Sequence, residues 1–429
     1  MYSNYYDKEP VMMIGLGSYD KEVTLKSSLG RTFTVRIDGK KVVLNDSDDK
    51  NDQVYLIDND DDENFYMEVP DIEIGKGFHW SRKENQRFKG GFLFKIVDNK
   101  LLLINMIPIE LYLQSVISSE MNGDCPLELL KAHAVISRSW ALRQIDKIPY
   151  LGTPYISDYE TRTWYDSGVH KYFDVCADDH CQRYQGITRA INPNVKKAVK
   201  ATCGEVLMYN DEICDARFSK CCGGATELFE NCWQDKHFNY LEKIDDFSEN
   251  FTPDLTVEEN AVKFIKSSPE AYCNADGKKI LSKILNSYDS EYSDFYRWKV
   301  FYTFEELSEI VKEKSGEDYG LITDLTPLSR GTSGRIYRLK ITGKKKTKIV
   351  GKELEIRRLL SKSHLYSSAF TVEKSEKGFT LYGAGWGHGV GLCQIGAAVM
   401  AENGKKYKEI LAHYYKGANL QKIYVGNKK

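Results

Sequence analysis

The chain has 429 residues, room for several structural units at roughly 100–200 residues each, and its 41% hydrophobic content can supply a buried core. Lys and Arg total 60 against 62 Asp and Glu, a net charge of −2. That balance argues against a general nucleic-acid or anionic-membrane binder, which would carry a large basic excess. The 10 cysteines are too few for a disulfide scaffold, yet they cluster.

No secretory leader is read at the start, because the apolar run Val11–Gly17 follows Asp7, Lys8, Glu9 and Pro10. No window offers about 18 uninterrupted apolar residues, so no transmembrane segment is expected. Localisation stays open on these residues, between the cytoplasm and export after removal of a leader.

The first hundred residues read mostly as strands. Val23–Leu25, Thr32–Ile37 and Lys41–Leu44 alternate apolar and polar residues, with a hairpin turn at Asp38-Gly39. The acidic run Asp46–Glu63 reads as a solvated loop. Asp58, Asp60 and Asp62 have the spacing of a calcium loop, but Glu63 stands where that loop needs glycine. Gly90–Lys95 and Lys100–Met106 predict a further hairpin.

Ile109, Leu113, Val116, Ile117 and Glu120 share one helical face. A carboxylate continuing an apolar stripe is costly unless it is protonated, as a general acid must be, or paired with Lys131 or Arg138 of the next helix. That second helix begins at Pro126 and runs to about Asp146. Ile148–Cys181 is loop-rich, Asn194–Thr202 is a short helix, and Glu205–Ala216 is a hairpin around Asn210-Asp211. Asp245–Val311 is charged, Tyr-rich and helical in tendency. Gly334–Ile341 is strand-like, Lys344–Lys348 a solvated turn, and Tyr407–Tyr415 a terminal helix.

Three further groups could carry chemistry. His170, Cys176, His180 and Cys181 offer four donors of the kind zinc prefers; otherwise Cys176 and Cys181 are a disulfide or buried thiols with surface histidines. Cys214, Cys221, Cys222 and Cys232 surround Gly223-Gly224 and read as buried free thiols, with a second metal site or a nucleophile as the alternatives. Gly383–Gly391 places glycine at every second position. Extended, it would present one bare face and one carrying Trp386 and His388; otherwise it is a structural turn packed on the core.

Taken together, the motifs Pro108–Leu113, Ser119-Glu120-Met121 and Pro126–Ala141, then Asp174–Tyr184, Ala201–Tyr209, Cys222–Glu227, Gly385–Gly396 and Tyr407–Leu420, resemble the stage II sporulation protein D/amidase-enhancer family. The resemblance implies an α+β fold: an antiparallel-rich sheet core on which two motif helices form a catalytic cleft, plus a helical insertion. The chain then divides into an N-terminal β-rich region (1–100), a first core half with the His/Cys loop (101–244), the insertion (245–311), and a second core half with the glycine-rich motif (312–429).

By the same resemblance the protein is a lytic transglycosylase that cuts peptide-stripped peptidoglycan glycan strands to 1,6-anhydro products, with Glu120 as general acid and base. Lys131 and Arg138 would position Glu120 or bind sugar, and Trp386, His388 and Gln394 would line the glycan groove. A structural zinc at His170, Cys176, His180 and Cys181 is implied. The expected partners are glycan strands and a cell-wall amidase, with no nucleic acid, and the substrate would place the protein in the cell envelope or periplasm. Two alternatives stay open: a non-catalytic glycan-binding or amidase-activating protein, and a zinc-dependent hydrolase.

Overall fold

The computed structural model describes residues 6–45, 47–56, 64–75, 81–145, 154–164, 170–178, 180–189, 192–247, 253–275, 278–285 and 294–426. Helices and antiparallel-rich sheets make the protein α+β, as expected. Two compact units are present: Met1–Ile148, Ser167–Ile213 and Leu420–Lys429 form the first, and Pro149–Asp166 with Cys214–Asn419 form the second.

The first unit holds two five-stranded sheets. One has the order Val175–Cys176, Val11–Tyr19, Lys100–Pro108, Gly91–Val97, Gln53–Leu56. The other has the order Lys41–Leu44, Thr32–Asp38, Glu22–Ser27, Met67–Ile74, Arg82–Phe88. The hairpins form where turn chemistry predicts them. Asp38 pairs with Lys41 across Gly39-Lys40, with Gly39 at φ +64°. Val97 pairs with Lys100 across Asp98-Asn99, at φ +50° and +61°, and Asn210-Asp211 turns at +49° and +63°. Asn and Asp tolerate this left-handed region, whose twist matches that of paired strands. The acidic run is not loop throughout: Gln53–Leu56 is a strand with Val54 and Leu56 buried. Asp58, Asp60 and Asp62 lie outside the described residues.

The strand Lys100–Pro108 leads directly into helix α1 (Ile109–Glu120), and Ile109, Leu113, Val116 and Ile117 are fully buried, as their spacing requires. Helix α2 (Leu127–Ile145) is buried over most of its length, and α3 (Pro193–Ala201) is capped by the Asn192 side chain at 2.9 Å from the Asn194 N–H. At the root of α1, Glu110 takes a forked grip from Arg138 of α2, at 2.9 and 2.7 Å, and accepts the Tyr424 hydroxyl at 2.5 Å. Arg138 also donates to the Glu205 carbonyl at 2.9 Å. Arg138→Ala would strand the Glu110 carboxylate in a site that is 13% exposed. Breaking a buried pair from one side costs about 3–5 kcal/mol. Denaturant unfolding is expected to show a loss of that order, and a loss within surface-substitution range would contradict the assignment.

In the second unit, α4 (Glu258–Lys266), α5 (Lys278–Ile284) and α6 (Phe304–Ser315) precede α7 (Glu353–Leu359), α8 (Gln394–Glu402) and α9 (Tyr407–Tyr414). The stretch 245–311 contains α4 and α5, and also the strand Arg297–Thr303, which pairs with Gly378–Ala384. Leu307, Ile310 and Val311 of α6 join Ile322, Leu325, Ile336, Leu339 and Ile341 in one core. The Lys344–Lys348 run is only partly a turn: Lys348 lies in the strand Thr347–Gly351, 6% exposed, and pairs with Glu317 at 2.9 Å. Among the described residues no helix is long and apolar enough to cross a membrane.

Candidate active site and metal centre

Glu120 is the last residue of α1 and is half-buried. A carboxylate there faces the negative end of the helix dipole, and the last turn carries no basic residue to offset it. Such a breach of the local rule is expected at a functional position. One Glu120 oxygen accepts the backbone N–H of Arg183 at 3.2 Å, which orients the carboxylate.

The segment that supplies this N–H is clasped along α1. Tyr112 donates its hydroxyl to Gln182 Oε1 at 3.1 Å, and the Gln185 N–H donates to Ser115 Oγ at 3.0 Å. Tyr184 is buried, 5.3 Å from the Tyr112 ring, and its hydroxyl reaches Asn105 at 2.6 Å. Sequence periodicity marked Glu120 but none of these holders, whose contacts join residues about 60–80 positions apart.

Immediately before the clasp, His170, Cys176, His180 and Cys181 come together with their donor atoms all within 4.8 Å of one another. His170 Nε2 lies 3.3 Å from Cys181 Sγ, His180 Nδ1 lies 3.5 Å from the same sulfur, and Cys176 Sγ lies 3.9 Å from His180 Nδ1. These four residues could hold a metal ion. Hydrogen bonding from Cys181, then from His170 and His180, holds the Cys176 thiol far below its ordinary pKa against the opposing effect of burial. The loop is anchored to the sheet: Val175 and Cys176 pair in parallel with Ile14 and Gly15. Phe173 packs so closely over Gly15 that a Cβ there would sit 2.5 Å from its ring.

The basic candidates are engaged elsewhere. Lys131 bonds Glu128 at 2.7 Å, one turn earlier on α2. Arg138 has no exposed surface and is committed to Glu110, so its guanidinium serves helix packing rather than a sugar.

The glycine-rich motif belongs to the second unit, and beyond the strand end at Ala384 it is not extended. Gly385, Gly387, Gly389 and Gly391 all have positive φ, between +71° and +91°. The chain winds around the fully buried Arg335, which donates to the carbonyls of Gly387 and Cys222, both at 3.0 Å. A Cβ on Gly389 would stand 2.4 Å from that guanidinium, so glycine is needed for close approach as well as for conformation. Trp386 is half-buried and stacks on Tyr366 at 4.4 Å, with Phe295 at 4.7 Å. Gln394 is 1% exposed at the start of α8, which places it in the core rather than on a groove wall.

His388 contacts Trp233 edge-on at 4.8 Å, and its Nδ1 accepts the Val390 N–H at 3.0 Å, which leaves the other ring nitrogen to carry the proton. Burial first, then the guanidinium groups of Arg217, Arg335 and Arg357, push its pKa well below the ordinary value. His364 is lowered to about 4, by burial first and then by Arg357, Lys314 and Arg358. Both imidazoles stay neutral in the folded state while the unfolded chain takes up protons below about pH 6.5. Stability should therefore fall as pH drops from 6.5 toward 4, by at most about 1.4 kcal/mol per pH unit for each histidine. Urea unfolding at pH 7 and pH 5 checks this, and His388→Gln should flatten the slope; an unchanged slope would remove His388 from the account.

The comparisons with known proteins fall on these same segments. The family profile described as Stage II sporulation protein matches residues 97–209, which include α1, α2 and the His/Cys loop. A second profile, described as Domain of unknown function (DUF8618), matches residues 227–391, within the second unit. An uncharacterized protein of Brachyspira hyodysenteriae (strain ATCC 49526 / WA1) is 28% identical over 337 residues, covering 78% of this chain and 72% of its own. The Amidase enhancer of Bacillus subtilis (strain 168) is 25% identical over 323 residues, covering 72% of this chain but 40% of its own length. Stage II sporulation protein D of Bacillus amyloliquefaciens is 25% identical over 322 residues, covering 74% of this chain and 75% of its own. With α1, α2 and the clasped His/Cys loop all inside the matched segment, residues 97–209 are similar to the Stage II sporulation protein family, and most of the chain aligns with relatives named Stage II sporulation protein D and Amidase enhancer.

Proposed function

We propose that the protein acts on the bacterial cell wall as a lytic transglycosylase of peptidoglycan glycan strands, with Glu120 as its acid and base. The observation that carries this reading is the Glu120 carboxylate, half-buried at the end of α1 and oriented by the Arg183 N–H at 3.2 Å. In its acid form Glu120 gives its proton to the glycosidic oxygen between N-acetylmuramic acid and N-acetylglucosamine, and that C–O bond breaks. The carboxylate left behind removes the proton from the muramic C6 hydroxyl, whose oxygen closes on C1 as the 1,6-anhydro ring. Proton and bonds balance without water, so the second carboxylate of ordinary glycosidases is not required. Trp386 remains the proposed sugar-facing aromatic of the glycine-rich motif.

Zinc is the metal we propose for His170, Cys176, His180 and Cys181. Tetrahedral zinc has bonds of about 2.3 Å to sulfur and about 2.0–2.1 Å to nitrogen, so sulfur–nitrogen edges run near about 3.5 Å. The observed donor separations of 3.3, 3.5 and 3.9 Å suit that polyhedron. With four protein donors the bound ion would supply a cross-link rather than an activated water, which favours a structural role over a zinc hydrolase. It would brace the loop that leads into Gln182–Gln185 and the grip on Glu120.

Mass spectrometry of products from peptide-free glycan strands tests the activity. The expected result is fragments ending in 1,6-anhydromuramic acid. Strand binding with no anhydro product would replace the enzyme with the second reading, a glycan-binding activator of a cell-wall amidase, which the similarity to an amidase enhancer favours.

A further inference from the structure

The second unit brings a different set of donors together. Cys222, Asp246, Cys273 and Cys393 are all buried, and their ligand atoms lie within 4.8 Å of one another. They come from four separate segments: the chain just after the strand Phe218–Ser219, the 246 region, the turn that follows α4, and the residue that caps α8. We propose that they form a second metal centre, closed and structural, that takes a thiophilic divalent cation such as Zn²⁺. The proposal does not rest on the transglycosylase reading or on the first cluster.

Three independent features support it. The first is spacing: Cys222 Sγ and Cys273 Sγ are 3.6 Å apart, and bonds of about 2.3 Å to a tetrahedral ion put sulfur–sulfur edges near about 3.7 Å. A disulfide would need about 2.05 Å. The second is the setting of Cys393. Its sulfur accepts the Cys222 N–H at 3.2 Å and the Gly396 N–H at 3.4 Å, the latter at the N-terminus of α8. Two N–H donors and the positive end of a helix suit a thiolate, the form that binds metal. The third is the charge on Asp246, which has no exposed surface. Among the described residues its ion-pairing neighbour is His413, at 3.9 Å. A dry carboxylate needs a countercharge, and a divalent cation at the sulfurs would supply one.

The surroundings are built to hold this arrangement. Asp246 accepts the Tyr414 hydroxyl at 2.6 Å and the Cys273 N–H at 3.0 Å, which orient both of its oxygens. A Cβ on Gly396 would meet those oxygens at 2.7 and 2.8 Å, so only glycine lets α8 approach them. Arg335 donates to the carbonyls of Cys222 and Cys221, at 3.0 and 3.4 Å, which offsets part of the negative charge of the thiolates. Binding would release whatever protons the three sulfurs carry and tie α8 to the segment 221–222. Cys221 in turn exchanges backbone hydrogen bonds with Trp386, at 3.1 and 2.8 Å, so the second centre would hold the motif that carries this aromatic.

Metal analysis of the intact chain, purified under reducing conditions and supplied with Zn²⁺, tests the proposal. The expected stoichiometry is about two equivalents per chain, one for each cluster. The double variant Cys176→Ser, Cys181→Ser should retain about one, and Co²⁺ added to its apoprotein should give thiolate charge-transfer and tetrahedral visible bands. Cys222→Ser with Cys273→Ser should also lose about one equivalent. About one equivalent in the intact chain, with none in the Cys176/Cys181 variant, would overturn the proposal. So would a Cys222–Cys273 disulfide found by peptide mapping of the protein as isolated. About two equivalents in the intact chain would support the proposal without either variant, and about one equivalent that Cys222→Ser with Cys273→Ser retains would overturn it, the retained metal itself showing that this variant folds.

Discussion

Glu120→Gln is expected to lose cleavage of peptide-free glycan strands by about 10²–10⁴-fold, the scale of a general acid–base contribution. The substitution keeps the oxygen that accepts the Arg183 N–H and the shape of the helix end, so the fold should be unchanged. What goes is the proton that the leaving oxygen needs and the base that the C6 hydroxyl needs. Both steps use the same group, so kcat should fall while strand affinity, measured by co-sedimentation, holds. A variant that cleaves at the wild-type rate would sink Glu120 as the acid, even if the protein proved to be an enzyme. A normal rate in Arg183→Ala would be consistent with the assignment, because the contact to Glu120 comes from the backbone of that residue.

Removing metal from the His/Cys cluster should act on stability before chemistry. Structural zinc contributes binding free energy directly to folding, about 10–16 kcal/mol in isolated zinc-finger peptides. Here the sheet and α1 already hold the loop and the residues that follow it, so a smaller part of that is expected: about 2–5 kcal/mol, or several degrees in Tm. Chelation of the wild type, or Cys181→Ser, should give this loss by differential scanning calorimetry. Activity should fall with loosening of Gln182–Gln185, whose N–H groups hold Ser115 and Glu120. Metal dependence also has a pH sign. The ligands must be thiolate and neutral imidazole, so acid competes with the metal and its stabilisation should shrink as pH falls. Loss of activity on chelation with no change in Tm would point instead to catalytic metal.

Much of the local structure was legible in advance. The stripe Ile109–Glu120 predicted α1, Pro126 marked the start of α2, and Asp38-Gly39 and Asn210-Asp211 turned where they should. The four His and Cys donors that could hold a metal at the first cluster are confined to 12 consecutive residues, so proximity in the chain left little for folding to decide. Helical period, turn dihedrals and short loops are properties of neighbouring residues, and that is why they can be read without coordinates.

The misreadings have one physical origin. Of the two readings of alternating glycine, the extended ribbon fails and the turn packed on the core holds, because the buried Arg335, about 50 positions earlier, occupies the space beside residues that wind at positive φ. Arg138 looked available to a sugar until Glu110, 28 residues away, was seen to hold it. Gln53–Leu56 drew its strand from a partner at Phe92–Lys95, which local acidity concealed.

By itself, then, the sequence determined the family resemblance, the helix that ends in Glu120, and one set of Cys and His donors that could hold a metal, all from motifs and periods within a few turns of chain. Only the tertiary structure decided which backbone N–H holds Glu120, which basic residues are committed to ion pairs, and that Cys222 and Cys273 meet Cys393 and Asp246. Such contacts depend on how distant segments pack, and no local period or propensity encodes that packing.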